Sequence, residues 1–180
     1  RDMRSLSDAE RDELKGDRYS MVFQNPLSSL NPVFTVGKQL TDTAQFGGSQ
    51  PSGPLTYLRR RFTKSDREEA REQVLELLRE VQLPDAESIM ESSPSELSGG
   101  MGQRVLIARA LAQTTPVMLL DEPTASLDIN HQVRTLELVR DLVEEGKTAL
   151  AAIHDLNLAA HYCDRLVLLS DCRVLAAGRP

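Results

Sequence analysis

The chain contains no tryptophan, two cysteines in 180 residues and an aromatic share of 4%. Each scarcity removes a class of explanation. Cys163 and Cys172 do not make the dense framework that staples small secreted domains, so a reducing cytoplasmic setting is expected. No apolar run approaches the roughly 20 residues of a membrane-crossing helix, and the opening "RDMRSLSDAERDE" is too charged for a secretory signal. Any membrane role is therefore expected to be peripheral. Basic excess is missing too: the net charge of -6 argues against nucleic acid as the main partner, because a phosphate-binding face normally carries surplus lysine and arginine. Arg59, Arg60 and Arg61, with Lys64 and Arg67 nearby, are the local exception and read as a solvated face. His154, His161, Cys163 and Cys172 lack metal-ligand spacing, so no zinc site is expected from them.

A phosphate loop of the form G-x-x-x-x-G-K-[ST] is also absent from the 180 residues. Gly146-Lys147-Thr148 imitates its last three residues, but Asp141 stands where the first glycine belongs. The context is reversed as well, since such a loop leaves a strand and opens a helix. Here the helical pattern of Val133, Leu136, Val139, Leu142 and Val143 precedes the glycine and the short apolar run "TALAAI" follows it. Gly146 reads as a helix stop. Gly37-Lys38 fails in the same way, with Pro32 at the glycine position and Gln39 after the lysine.

What is present alternates strand and helix. Residues 7–15 form a predicted helix capped by Ser7, 19–23 a strand, and "QNPLSSLNPVFTVG" a loop. "GGSQPSGP", 47–54, is the most flexible-looking stretch. A helix follows with a capping box at Ser65 and Glu68 and an apolar face of Val74, Leu77, Leu78 and Val81, ended by Pro84. The loop "ESSPSELSGG" leads into the helix "MGQRVLIARALAQ". Then come a strand at 116–123 whose continuous apolar run predicts burial on both faces, a helix at 130–145, a strand at 148–153, a helix at 155–162 and a final strand pair. This pattern predicts an α/β fold with a parallel sheet, plus an all-helical middle region.

Three stretches carry chemistry. "VMLLDEP" sets Asp121 and Glu122 at the C-terminal end of a strand, where an open parallel sheet presents groups to a ligand; one carboxylate suits Mg²⁺ and the next suits orienting and deprotonating a water. "LSGGMGQR" puts Ser98, Gly99 and Gly100 at a helix start, where free N–H groups favour an anion. "AAIHD" ends another strand with His154.

Taken together, "LSGGMGQRVLIARALAQTTPVMLLDEPTASLD", the strand ending in His154 and the upstream "VFQNP" closely resemble the ATP-binding cassette (ABC) family, from about residue 17 to the end. The resemblance implies an ATPase subunit that uses ATP and Mg²⁺, pairs with a second ATPase subunit, and drives import through transmembrane permease subunits from the cytoplasmic, inner face of the cell membrane. It implies a fold in two parts, a partial ATPase core from 1–34 and 115–180 and a helical subdomain from 35–114. In its terms Ser98, Gly99 and Gly100 belong to the signature that contacts the partner's nucleotide. Asp121 supports Mg²⁺, Glu122 is the general base, and His154 contacts the γ-phosphate. Gln24 reaches metal and water while sensing the permease, and Asp128 is the D-loop residue working across the dimer interface. "VFQNPLSSLNPVFTVG" looks most like oligopeptide and dipeptide importers, whereas the ending "HDLNLAAHYCDRLVLLSDCRVLAAGRP" is closer to iron-chelate and cobalamin importers.

Two departures from the family pattern shape the expectations. Cys172 stands where a hairpin glycine is usual, so a locally altered turn is expected. The resemblance also implies a Walker A loop and an adenine-stacking aromatic residue ahead of Arg1. The chain then looks like an interior and C-terminal piece that neither binds ATP tightly nor hydrolyses it alone, with uncovered sheet edges and poor solubility. Two other readings remain open: a non-catalytic docking module that donates its signature in trans, and a soluble ABC ATPase outside transport.

Overall fold

The computed structural model describes residues 6–14, 16–24, 26–46 and 63–180; the stretch 47–54 and Arg59–Arg61 lie outside them. Its first helix, α1 (Asp8–Leu14), opens with a reciprocal box: Ser7 Oγ accepts from the Glu10 N–H at 3.3 Å and the Glu10 carboxylate accepts from the Ser7 N–H at 2.9 Å.

Three parallel strands form the central sheet in the order β1 (Tyr19–Val22), β2 (Val117–Asp121), β3 (Thr148–Ala152). Side chains alternate across it. Ser20, Val22, Met118 and Leu120 are buried and Ala149 and Ala151 pack on the same core, whereas Leu150, one position away, is 65% exposed. The apolar run of β2 predicts two covered faces. Among the described residues only one face is sealed, because helices α6 (Gly99–Leu111) and α7 (Ile129–Glu144) bring Val105, Ile107, Leu138 and Leu142 to that side alone.

The middle of the chain is helical: α3 (Val36–Phe46), α4 (Lys64–Glu80), α5 (Ala86–Glu91) and α6. Val36, Leu40, Val74, Leu78 and Ile107 are completely buried between them. The predicted face of α4 is the buried one, with Leu77 packed at its margin. Its cap differs from the sequence reading. Thr63 and Asp66 form the box, Thr63 Oγ1 accepting from the Asp66 N–H at 3.2 Å and Asp66 from the Thr63 N–H at 2.8 Å. The same Ser/Thr-x-x-acid spacing thus occurs two residues earlier than Ser65 and Glu68, and the earlier copy starts the helix. The helix also stops before Pro84. Gln82 turns to φ +58, its N–H reaching Arg79 O and that of Leu83 reaching Leu78 O, which satisfies the last carbonyls.

Two segments read as loop contain helix. α2 (Pro26–Ser29) lies inside "QNPLSSLNP", and a 3₁₀ turn, Pro94–Glu96, lies inside "ESSPSELSGG", which follows directly on α5. Tertiary contact fixes the first of these: Arg109 Nη1, from α6, donates to Ser29 O at 2.9 Å.

Gly146 is the predicted helix stop. At φ +105 it closes α7, its own N–H bonding Val143 O at 3.0 Å and that of Lys147 bonding Leu142 O at 3.1 Å. After α8 (Leu156–Tyr162), strands β4 (Leu166–Ser170) and β5 (Arg173–Gly178) pair antiparallel as a hairpin separate from the parallel sheet. Its turn is the regular two-residue kind with both central residues at positive φ, Asp171 at +49° and Cys172 at +59°. The turn itself keeps the two-residue form, Cys172 accepting the backbone that glycine takes freely, and the hairpin is irregular just beyond it, where the register shifts between Leu168 and Leu169.

Candidate active site

The parallel register delivers three side chains to one edge. Gln24 lies just beyond the end of β1, Asp121 ends β2 with Glu122 next, and His154 lies just beyond the end of β3. Val22 pairs with Leu120 and Asp121 with Ala152, so the strand ends are level. Gln24 Nε2 donates to Glu122 Oε2 at 2.5 Å. His154 Nε2 lies 2.6 Å from Glu122 Oε1, within hydrogen-bonding distance. Both oxygens of one carboxylate are thereby engaged from both flanking strands. The Glu122 side chain is 25% exposed and that of His154 84%, which sets the carboxylate inside and the imidazole at the mouth.

Glu122 stands at φ +46 while its N–H bonds Ala152 O at 3.1 Å. Left-handed backbone costs an ordinary L residue about 1–2 kcal/mol, and this residue adopts it where the chain turns off the strand, a kind of strain that clusters at functional sites. Asp121 is half-buried, and its carboxylate has no hydrogen-bond or ion-pair partner among the described residues. Its hard oxygens fit a Mg²⁺ ion.

The glycine pair follows the cap: Ser98 Oγ accepts from the Met101 N–H at 3.3 Å, and Gly99 and Gly100 form the first turn of α6. Asp128 caps α7, accepting from the His131 N–H at 3.1 Å through Oδ1 and lying 2.6 Å from His131 Nδ1 through Oδ2. The hydrogen bonds from the His131 backbone and then its ring hold the Asp128 carboxyl below its usual range.

The structure thus hydrogen-bonds Gln24, Glu122 and His154 into one cluster beside Asp121. It makes no hydrogen bond between that cluster and Ser98, Gly99, Gly100 or Asp128. Sequence reasoning missed His131 and Arg109. The first was findable, since Asp128 and His131 share the spacing of a capping pair; the second was not, because Ser29 is 80 residues away from it.

Residues 1–125 match the family described as ABC transporter. The chain belongs to that family. Relatives of this ABC chain carry two kinds of transport name. The cobalamin import ATP-binding protein BtuD of Halobacterium salinarum is 67% identical over 87 residues, 48% of this chain and 22% of the relative. A probable peptide ABC transporter ATP-binding protein, y4tR, of Sinorhizobium fredii is 37% identical over 176 residues, 97% of this chain and 48% of the relative. The dipeptide transport ATP-binding protein DppD of Escherichia coli is 35% identical across 98% of this chain and 50% of its own length. The chain spans half or less of the length of these relatives. Among solved structures, the dimeric post-hydrolysis state of the ATP-binding cassette MJ0796 bound to ADP and Pi superposes with a TM-score of 0.75 at 32% identity, covering 97% of this chain and 68% of that one. The α/β cassette fold expected from the sequence is therefore shown. No helix among the described residues is long and apolar enough to cross a membrane.

Proposed function

We propose that this chain carries the hydrolytic half of an ABC importer's ATPase site, with Glu122 as the general base. The supporting observation is the convergence of Gln24 and His154 on the two oxygens of Glu122 at the C-terminal edge of the parallel sheet. Phosphoryl transfer asks mainly for positioning and charge stabilisation, and these residues offer both. Glu122 takes the proton of the attacking water, His154 donates to the γ-phosphate edge, and Gln24 aligns the water. Asp121, with the Gln24 side-chain oxygen, would hold Mg²⁺; when bound, the ion neutralises phosphate charge. Ser98, Gly99 and Gly100 offer N–H groups to the nucleotide of a second ATPase subunit, and Asp128 works at that interface. The residues 1–34 and 115–180 act as the core and 35–114 as the helical subdomain. The protein would sit at the inner face of the cell membrane on permease subunits, and both a peptide and a cobalamin-type cargo are compatible with its relatives.

The 180 residues contain no G-x-x-x-x-G-K-[ST] cradle, whose backbone amides and lysine supply most phosphate contacts. Alone, they bind ATP weakly and do not turn it over. Titration of a fluorescent ATP analogue with Mg²⁺ into this chain and into Glu122→Gln tests this. No saturation below millimolar concentration is expected in either; micromolar binding would mean that another segment forms the cradle.

A further inference from the structure

His131 makes two contacts that the hydrolytic reading leaves unused. The Asp128 carboxylate grips it twice, through its backbone N–H at 3.1 Å and at ring Nδ1 at 2.6 Å. The other edge of the ring lies on α6. A β-carbon built on Gly100 falls 2.3 Å from His131 Cδ2 and 2.9 Å from Nε2, closer than real side chains approach. The imidazole occupies that place only because residue 100 has no side chain. Leu127, just before Asp128, sets its Cδ2 3.7 Å from the corresponding point on Gly99. The segment from Leu127 to His131 therefore straddles the first turn of α6. With no side chain on residue 100, the ring packs directly against the backbone of that turn.

We propose that His131 is a positioning residue: held by Asp128 and seated on Gly100, its ring locks the first turn of α6 to the segment carrying Asp128, so that these two elements move as one. The function of the lock rests on the reading of Ser98–Gly100 and Asp128 as the parts that meet a partner's nucleotide. The lock also gives Gly100 a second reason to be glycine. The His131 ring is 43% exposed, so the seat is made by the Asp128 hydrogen bonds at one end and the fit against Gly100 at the other rather than by burial.

Hydrogen–deuterium exchange of the whole chain, without nucleotide, tests the lock. Asp128→Asn keeps an acceptor able to cap α7 while replacing the carboxylate that holds the ring, and His131→Ala removes the ring. Both are expected to speed exchange severalfold in peptides covering 99–106, on a helix that carries neither substituted residue. Thermal unfolding supplies the second arm: Gly100→Ala lowers the midpoint by several degrees, and adding His131→Ala to it recovers most of that loss. Faster exchange confined to 128–134, or an equal Gly100→Ala loss with and without His131→Ala, overturns the proposal. If Gly100→Ala does not fold, the exchange comparison decides alone. Because no nucleotide enters this assay, its outcome is independent of the ATP titration above.

Discussion

Glu122 Oε1 lies 2.6 Å from His154 Nε2, a contact across 32 residues that ties the end of β2 to the end of β3. With Gln24 on the other oxygen, the carboxylate is held from both flanking strands. In a fusion that supplies a phosphate loop, Glu122→Gln is expected to lower kcat by about 10²–10⁴-fold, the usual worth of a positioned base, while ATP still binds. Phosphate-release kinetics beside equilibrium binding checks this; a kcat loss below tenfold would take the base role from Glu122.

Cys172 carries a side chain at φ +59 in a turn built for glycine. Cys172→Gly should relieve that conformation and stabilise the chain by up to about 1 kcal/mol, after the flexibility glycine adds to the unfolded state. For a chain of this size the unfolding midpoint would rise roughly 2–4 °C, as calorimetry can read; a fall would show that the thiol makes an offsetting contribution.

The two thiols should differ in reactivity. Burial first, then the Asp164 charge, pushes the Cys163 thiol up, and it is half-buried where Cys172 is exposed. Thiolate is the reacting form, so iodoacetamide at pH 8 should modify Cys172 well before Cys163, with peptide mass spectrometry following each site. Equal rates would contradict the described environment of Cys163.

Glu80, at the end of α4, has its carboxyl raised, first by burial and then by Glu145, with Lys147 partly opposing. A folded-state value above the unfolded one means that the folded chain holds the proton more tightly. Its contribution to stability is then present in full below the ordinary carboxylate range and is lost as pH rises through the raised value. Glu80→Gln should accordingly stabilise the protein at pH 7–8 and change little near pH 4. Urea unfolding at both pH values checks the sign, and a destabilised variant at pH 7 would refute it.

Leu150 on the sheet, Val167 and Leu169 on β4, and Val174 and Leu175 on β5 all stand exposed. Such surface, with β3 pairing on one side among the described residues, favours edge-to-edge association. Sedimentation velocity should find this chain self-associating at micromolar concentration; a monodisperse monomer would mean that these faces are covered in some other way.

Local patterns already determined much of this protein. The strands at 19, 117 and 148, the apolar face of α4, the stop at Gly146 and the role of Asp121 and Glu122 as a strand-end pair all follow from hydrophobic period, backbone freedom of glycine and strand polarity, which act over a few residues. The tertiary structure decided what depends on distant partners. It made a helix of Pro26–Ser29, whose last carbonyl meets Arg109, and among the described residues it left one face of β2 only half-buried. It also joined Gln24, Glu122 and His154 by hydrogen bonds over separations of 98 and 32 residues, and seated His131 on Gly100. A sequence records which side chains exist and their local rhythm; which of them touch is settled when the chain closes those long loops and packs its elements in one register.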